Sequence, residues 1–378
     1  MLLYSGGGFA VTSGDTEIAP ILAYSEDGEF VASDENPLWV MLTTDVAGRT
    51  KRLEEDVSAT KNTKNTRAGL LLSSSPQASQ AARASANASA WARLKEAAGE
   101  SSSQAAGPKL LKAALPRTGS IATPIYGPLC ETKWNQYFIS GTACYNYYTP
   151  SNFLSGCVAT AMGQMMRSFE WPKEKVTLLR EHSSRFLDDV KTPGVVYTNQ
   201  WHVGGGYGQS WEYPGPEFGG PYDWENMIAN PPAAKSAGTL TEDHCKAIGQ
   251  LLRDCGITVN MDYHLGGSGA DTCAIAAALV QDFGYKNAEY RSDGTDISLE
   301  EQLAAYLPSF AMGSPCAVGI PGHAIVADGY GLDSDSRQYV HYNYGGGGSY
   351  WYTPPDDKET DDEYPTEKMQ ETLDNYFP

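Results

Sequence analysis

Between residues 58 and 107 the chain offers many alanines and serines and few large apolar side chains. Such a stretch cannot bury enough surface to build a core of its own. It therefore divides the 378 residues into a short front part and a long back part, and any core must lie in one or both of these. Within the break, "SQAARASANASAWARLKEAA" is rich in alanine, the best helix former. The expectation is a linker carrying one exposed helix, with Lys112 and Arg117 near its end open to proteases.

The front part reads as strands and turns. In "GFAVTSGD" and "EIAPILAYSEDGEFVAS", short β-prone runs are broken by Gly, Asp and Ser, and "YSEDGEF" has the composition of a hairpin turn. From about residue 120 the texture is that of a dense globular domain, rich in Trp, Tyr and Gly. A helix is predicted from Cys157 to about Phe169, with Val158, Met162, Met165 and Phe169 on one apolar stripe and Trp171-Pro172 as its stop. Further helices are predicted over 241–255, with Ile248, Leu251 and Leu252 in the core, over 271–283 with Asp271 as N-cap, and near 299–307. The runs "CAVGI", "HAIVADGYG" and "QYVHYNY" then read as strands. Helices first and an antiparallel sheet afterwards make an α+β fold. The end, "PPDDKETDDEYPTEKMQETLDNYFP", is strongly acidic and expected to be solvated.

Composition excludes several function classes. With 46 Asp and Glu against 27 Lys and Arg, the formal net charge is −19, which disfavours nucleic acid or an anionic membrane face as the main partner. No run of about twenty apolar residues is present, so no membrane span is expected. The opening "MLLYSGGGFAVTSGD" lacks the basic and apolar regions of a signal peptide. Seven cysteines at 130, 144, 157, 245, 255, 273 and 316 form no CxxC pair, so neither a metal site nor another cofactor is expected. Sequence leaves any disulfide pattern open.

The chemistry starts at "SGCVATAMGQMM". Cys157 opens an amphipathic helix, where the helix dipole and free N–H groups favour a thiolate. Taken alone, the stretch favours a buried structural thiol, the commoner fate of a free cysteine. A nucleophilic cysteine needs an imidazole. Of six histidines, His323 in "PGHAIVADGYG" has the most telling context, a loop-to-strand junction; His341, on the next strand, reads as a sheet-face residue. The imidazole needs an orienter, and Asn343 ends the neighbouring strand before a glycine-rich turn. An oxyanion needs donors, and "KWNQYF" supplies Asn135 and Gln136. Gln, Cys at a helix start, His at a strand start and Asn before an aromatic follow one another in the order used by papain-like cysteine peptidases.

At this point the sequence resembles the streptopain family of bacterial cysteine peptidases. "KWNQ", "GCVATAMGQMM…WP", "YDWENM", "GITVNMDY…GSGA", "FGY", "GHAIVADGY" and "HYNYGGGG" are similar to family landmarks in the expected order, up to about residue 352. "GFAVTSGDTEIAPILAYSEDGEF" resembles the family's propeptide, a small β-rich domain that packs on the enzyme and blocks its active site. The resemblance implies a papain-like fold of a helical and an antiparallel β subdomain at 120–355. It implies an inhibitory propeptide at 1–57, an activation segment at 58–119 with mature enzyme starting near Arg117 to Ile121, and an acidic tail at 356–378. It further implies that Cys157 attacks the scissile carbonyl, His323 shuttles the proton, Asn343 orients His323, and Gln136 with the Cys157 N–H holds the oxyanion. Gly322, Gly267, Ser268, Gly269, Ala270 and Tyr344 would line the substrate cleft. The implied protein is a secreted, monomeric endopeptidase zymogen acting on proteins or peptides, with its own propeptide as partner in cis.

Two departures stand in the site itself. Tyr344 replaces the tryptophan that shields the Asn–His hydrogen bond, and its hydroxyl needs a partner. Gly346 replaces a second tryptophan. These changes support the alternative of a catalytically attenuated homologue that binds peptides or host proteins. A third reading, a transglutaminase or amidase with the same triad logic, lacks the propeptide-like front.

Overall fold

The computed structural model describes residues 123–177, 182–187, 198–203, 215–264, 267–291, 299–320, 322–334, 337–346 and 348–353, with stretches of 2–46 and of 85–95. Of the expected linker and activation segment at 58–119, residues 58–84 and 96–119 lie outside the described residues, with Lys112, Arg117 and the expected mature start near Arg117 to Ile121, as does the acidic tail.

Helices and an antiparallel sheet give an α+β fold. The main sheet has eight strands. β1 (Leu2–Leu3), β2 (Phe9–Thr12) and β3 (Ile21–Ser25) come from the front of the chain, and β4 (Thr123–Tyr126) follows the break. β8 (Cys316–Ile320), β9 (His323–Leu332), β10 (Gln338–Asn343) and β11 (Ser349–Tyr352) complete it. The order is β1-β2-β3-β11-β10-β9-β4, with β8 on the first half of β9. A second sheet of three strands joins β5 (His182–Leu187), β6 (Thr198–Val203) and β7 (Asp262–His264).

Strand β9 is buried on both faces, and its alternating side chains divide between two cores. Ala324 and Val326 pack with α1 (Cys157–Phe169) and α3 (Glu242–Thr258), the latter preceded by α2 (Pro231–Ser236). Ile325 and Ala327 face the other way, into a cluster with Leu303, Tyr306 and Phe310 of α5 (Leu299–Ala311) and with Leu22, Leu38 and Leu42 from the front of the chain. The front hairpin thus continues the sheet: Trp351 and Tyr352 of β11 pair with Tyr24 and Ala23 of β3.

Helix α1 spans the predicted range. Val158, Met162 and Met165 are buried, but Phe169 is 38% exposed and makes an edge contact with Tyr285 instead of joining the core. The helix stops one residue earlier than the proline would require, because Glu170 takes a left-handed conformation (φ 49°) as C-cap. Thr241 caps the start of α3 with its hydroxyl accepting from the His244 N–H, and the helix runs to Thr258, three residues past its predicted end. The predicted third helix is shorter: α4 covers Ala274–Gln281, and Asp271 accepts from the Cys273 N–H in the turn before it.

The alanine-rich helix departs from expectation. Residues 87–95 are helical, with Ala88, Ser89, Ala92, Arg93 and Lys95 exposed but the opposite side docked. Asn87 and Ala90 are buried, the Trp91 indole N–H donates to the Ile18 carbonyl (3.0 Å), and Arg337 donates to Asn87 Oδ1 (3.0 Å). Small alanines let the helix lie close to the β3 side of the sheet, and one tryptophan and one asparagine supply its specific contacts.

Candidate active site

The site forms where α1, β9 and the turn after β10 meet. Gly156 caps α1 with φ +86°, a conformation that favours glycine. A Cβ there would stand 2.6 Å from the Met261 side chain and 3.1 Å from the Ser268 carbonyl oxygen. The chain before Cys157 therefore runs against the 267–270 loop with no room for a side chain. Cys157 is the first residue of α1 and is half-buried.

His323 opens β9 and hydrogen-bonds the Cys157 thiol. Its Nε2 lies 2.8 Å from the main-chain carbonyl oxygen of Tyr344. A carbonyl only accepts, so Nε2 carries the proton and Nδ1 is left to take one from sulfur. Burial alone pushes the Cys157 thiol up, but the His323 hydrogen bond and charge, with the Ala324 and Val158 N–H groups, outweigh it and bring the thiol below its ordinary value. For His323, burial pulls down, while the hydrogen bonds to Cys157 and the Tyr344 carbonyl and the thiolate charge raise it above its ordinary value. Both shifts favour a thiolate–imidazolium pair.

Asn343 does not orient His323 directly, which corrects the expected contact. Its Nδ2 donates to the Thr132 carbonyl (2.5 Å), and its Oδ1 accepts from the Gly345 N–H (3.1 Å). Strand β10 carries Asn343 opposite Val326, three residues into β9, where Thr132 and the turn backbone are nearer than the imidazole. Yet the Gly345 N–H and the Tyr344 carbonyl belong to one planar peptide unit. Asn343 holds that unit from its N–H side while His323 donates to its oxygen.

Tyr344 as a cleft-lining side chain is also corrected. It is 0% exposed, packed among Tyr342 and Tyr350, with its hydroxyl 3.5 Å from the Met41 sulfur in the front segment. Its apolar ring follows the sheet face into the second core, and only its carbonyl reaches the site. Next to it, Gly346 is met by Asn135, whose amide lies 3.5 Å from the Gly346 oxygen.

Gln136 is 8% exposed. Its carbonyl accepts from Ser155 two residues before Cys157 (3.3 Å), and its N–H donates to Asn135 Oδ1 (2.5 Å). Its side-chain amide makes no hydrogen bond to another described residue. Gly322 is exposed at φ +72° immediately before His323. In the 267–270 loop, Gly269 is exposed, Gly267 and Ala270 are half-buried, and Ser268 Oγ is buried without a partner among the described residues. His341 is a satisfied sheet histidine: Nδ1 lies 2.6 Å from Asp328 Oδ1, with Trp351 against the ring. Among the described residues no cluster of three or more His, Cys, Asp or Glu is arranged to hold a metal ion.

The family model described as Peptidase C10 family matches residues 134–352, more than half of the chain. The chain belongs to that family. A second model, Spi protease inhibitor, matches residues 3–48. Among curated relatives, the thiol protease/hemagglutinin PrtT of Porphyromonas gingivalis is 31% identical over 202 residues, covering 51% of this chain and 19% of the relative. Streptopain of Streptococcus pyogenes is 25% identical over 267 residues, covering 65% of this chain and 59% of the relative. The chain therefore spans about a fifth and about three fifths of the lengths of these two proteins. Among solved structures, a mutant prointerpain A fragment of Prevotella intermedia aligns at 22% identity and a TM-score of 0.49, covering 92% of this chain and 86% of that one. Active interpain A of the same organism aligns at 25% identity and a TM-score of 0.43, covering 60% and 87%.

Sequence reading missed the Tyr344 carbonyl, the Ala324 N–H at Cys157, and the buried polar pair of Thr132 and Gln164. Main-chain groups have no residue-type signature, and Gln164 sits inside an apolar helix with nothing in its neighbours to single it out.

Proposed function

We propose that the protein is a cysteine endopeptidase made as a zymogen. The observation that carries this is Nε2 of His323 fixed on the Tyr344 carbonyl, with the imidazole lowering the Cys157 thiol at the start of α1. The Cys157 thiolate attacks the scissile carbonyl. The Cys157 N–H and the Gln136 amide hold the oxyanion, a role supported by the tie between the Gln136 carbonyl and Ser155. The imidazolium passes the Nδ1 proton to the leaving amine, and a thioester acyl-enzyme remains. His323 then takes a proton from water, the hydroxide attacks the thioester, and the acid product leaves with the thiol restored. Asn343 acts as a positioning residue, one peptide unit removed from the imidazole.

Gly322 and residues Gly267 to Ala270 flank Cys157 and His323 and are assigned to the substrate cleft. Residues 1–57 act as the inhibitory segment, and maturation cuts the chain near Arg117 to Ile121. The match of residues 3–48 to the Spi inhibitor model supports the inhibitory role. Export as a secreted enzyme is assigned by its relationship to streptopain. The attenuated-homologue alternative drew on Tyr344 and Gly346; the Tyr344 carbonyl on His323 favours the active reading over it.

The test compares wild type with Cys157→Ala, using casein hydrolysis, E-64 labelling and intact mass after incubation with reductant. Wild type is expected to cleave casein, take one E-64 and lose a fragment of about 12 kDa, at ~110 Da per residue. Equal residual proteolysis by both proteins rejects Cys157 as nucleophile.

A further inference from the structure

We infer that Thr132 and Gln164 are positioning residues that lock the His323-holding peptide to the nucleophile helix. The inference rests on the peptidase reading and extends it to two residues without a role so far.

Three elements converge on Thr132, which is 4% exposed. Just before it, the Leu129 N–H donates to the Asp328 carbonyl (2.9 Å) and the Cys130 N–H to Asp328 Oδ2 (2.8 Å). This segment is therefore sewn to β9, the strand that begins with His323. The Thr132 hydroxyl donates to Gln164 Oε1 (3.0 Å) on α1. The Thr132 carbonyl accepts from Asn343 Nδ2 (2.5 Å) at the end of β10.

Gln164 lies two turns along α1 from Cys157, so it shares that residue's side of the helix. The link from sulfur to imidazole then closes by a second route. It runs through α1 to Gln164, to the Thr132 hydroxyl, across its peptide carbonyl to Asn343, through Oδ1 to the Gly345 N–H, and out by the Tyr344 carbonyl to Nε2 of His323. The turn also rests on the same face of α1: a Cβ on Gly345 would stand 3.2 Å from Thr160 Cγ2 and 3.6 Å from Gln164 Nε2.

The buried polar cost points the same way. Gln164 is 1% exposed and its Nε2 has no partner among the described residues. An apolar residue of similar volume would pack there without an unpaired donor. What an apolar residue cannot do is accept from Thr132. Hydrogen bonds in such a chain polarise one another, so an anchored Asn343 strengthens the carbonyl that accepts the hydrogen bond from Nε2 of the imidazolium.

The test uses Thr132→Val, which keeps shape and removes the donor, and Thr132→Ser, which restores it. Gln164→Met removes the acceptor from the helix side. For each, the pH profile of kcat/KM, the separate kcat and KM, the pH dependence of Cys157 alkylation by iodoacetamide, and the Tm are recorded. A looser Tyr344 carbonyl favours the imidazolium less. Thr132→Val and Gln164→Met are expected to narrow the profile, the acid limb moving up and the alkaline limb down. Their kcat falls by roughly 10-fold with KM within about twofold, and Thr132→Ser restores the wild-type profile. An unchanged profile in both variants, with only a lower Tm, overturns the inference and makes the pair purely structural. If Thr132→Val does not fold, Gln164→Met decides by the same readout. Wild type without a depressed thiol or without peptidase activity fails the underlying reading instead, so the two failures are distinguishable.

Discussion

Nε2 of His323 donates to the main-chain carbonyl of Tyr344 at 2.8 Å. A backbone acceptor is indifferent to the side chain attached to it. The phenol of Tyr344 is occupied elsewhere, with its hydroxyl near the Met41 sulfur. Replacing it by another large aromatic is therefore expected to leave the chemistry in place. For Tyr344→Phe, kcat/KM of the mature enzyme should remain within about threefold of wild type, since the hydroxyl's one polar contact, to the Met41 thioether, leaves with residues 1–57 on maturation and the carbonyl is unchanged. A fall of 100-fold in a steady-state assay would show that the ring, not the carbonyl, serves His323.

Asn343 should matter more than Tyr344 although it never touches the imidazole. Asn343→Ala removes two buried hydrogen bonds and leaves the Thr132 carbonyl and the Gly345 N–H unpaired. The expected loss of stability is about 2–4 kcal/mol by urea unfolding of the Cys157→Ala background. In active enzyme, kcat is expected to drop by ~10–100-fold, less than for His323→Ala, which removes the general acid–base group and costs ~10²–10⁴-fold. Asn343→Asp keeps the acceptor for the Gly345 N–H but loses the donor to Thr132. Its activity should fall between wild type and Asn343→Ala.

The opposite shifts of Cys157 and His323 set the pH behaviour. Cys157 is held below its ordinary value and His323 above its own, so the window in which thiolate and imidazolium coexist is widened at both ends. As pH falls through the lowered Cys157 value, the thiolate is protonated and activity is lost. As pH rises through the raised His323 value, the imidazolium proton is lost and the leaving amine has no acid. Peptidase activity should follow a bell, while alkylation by neutral iodoacetamide should lose only its acid side. In His323→Ala burial is opposed only by the Ala324 and Val158 N–H groups, and alkylation should shift to alkaline pH. A His323→Ala profile that overlays wild type would remove the ion-pair account.

How much of this was legible in the sequence depended on what kind of group did the work. Cys157, His323 and the turn beyond Asn343 stood out because side chains with a chemical job sat at helix and strand starts, and the structure brings Cys157 and His323 together. Helices α1 and α3 were readable because apolar periodicity is a local signal. The contact of His323 was not readable, because its acceptor is a peptide carbonyl, and the neighbouring asparagine drew the role by residue type. Phe169 was misjudged for a related reason: periodicity gives the face of a helix, but the neighbour that would cover its last turn comes from the distant Tyr285. The alanine-rich helix was taken for an exposed linker because composition measures how much area can be buried. Trp91 and Asn87 dock it with a few specific hydrogen bonds, which composition does not count.

Selective labelling offers a check that needs no substrate. Cys130, Cys144, Cys245 and Cys255 are all buried, whereas Cys157, Cys273 and Cys316 are half-buried. Among the accessible three, only Cys157 is lowered. Burial pushes the Cys316 thiol up to about 11, and for Cys273 the hydrogen bond to the Asp271 carboxylate, followed by burial and that carboxylate's charge, raises it. The buried Cys144 and Cys245 thiols hydrogen-bond each other, which lowers one at the expense of the other, but neither meets solvent. Iodoacetamide at mildly acid pH is therefore expected to add one equivalent to the native protein, located at Cys157 by peptide mapping. Unfolding under reducing conditions should release all seven thiols. Labelling of Cys273 as fast as Cys157 in the native state would mean that exposure, and not the imidazole, governs thiol reactivity here.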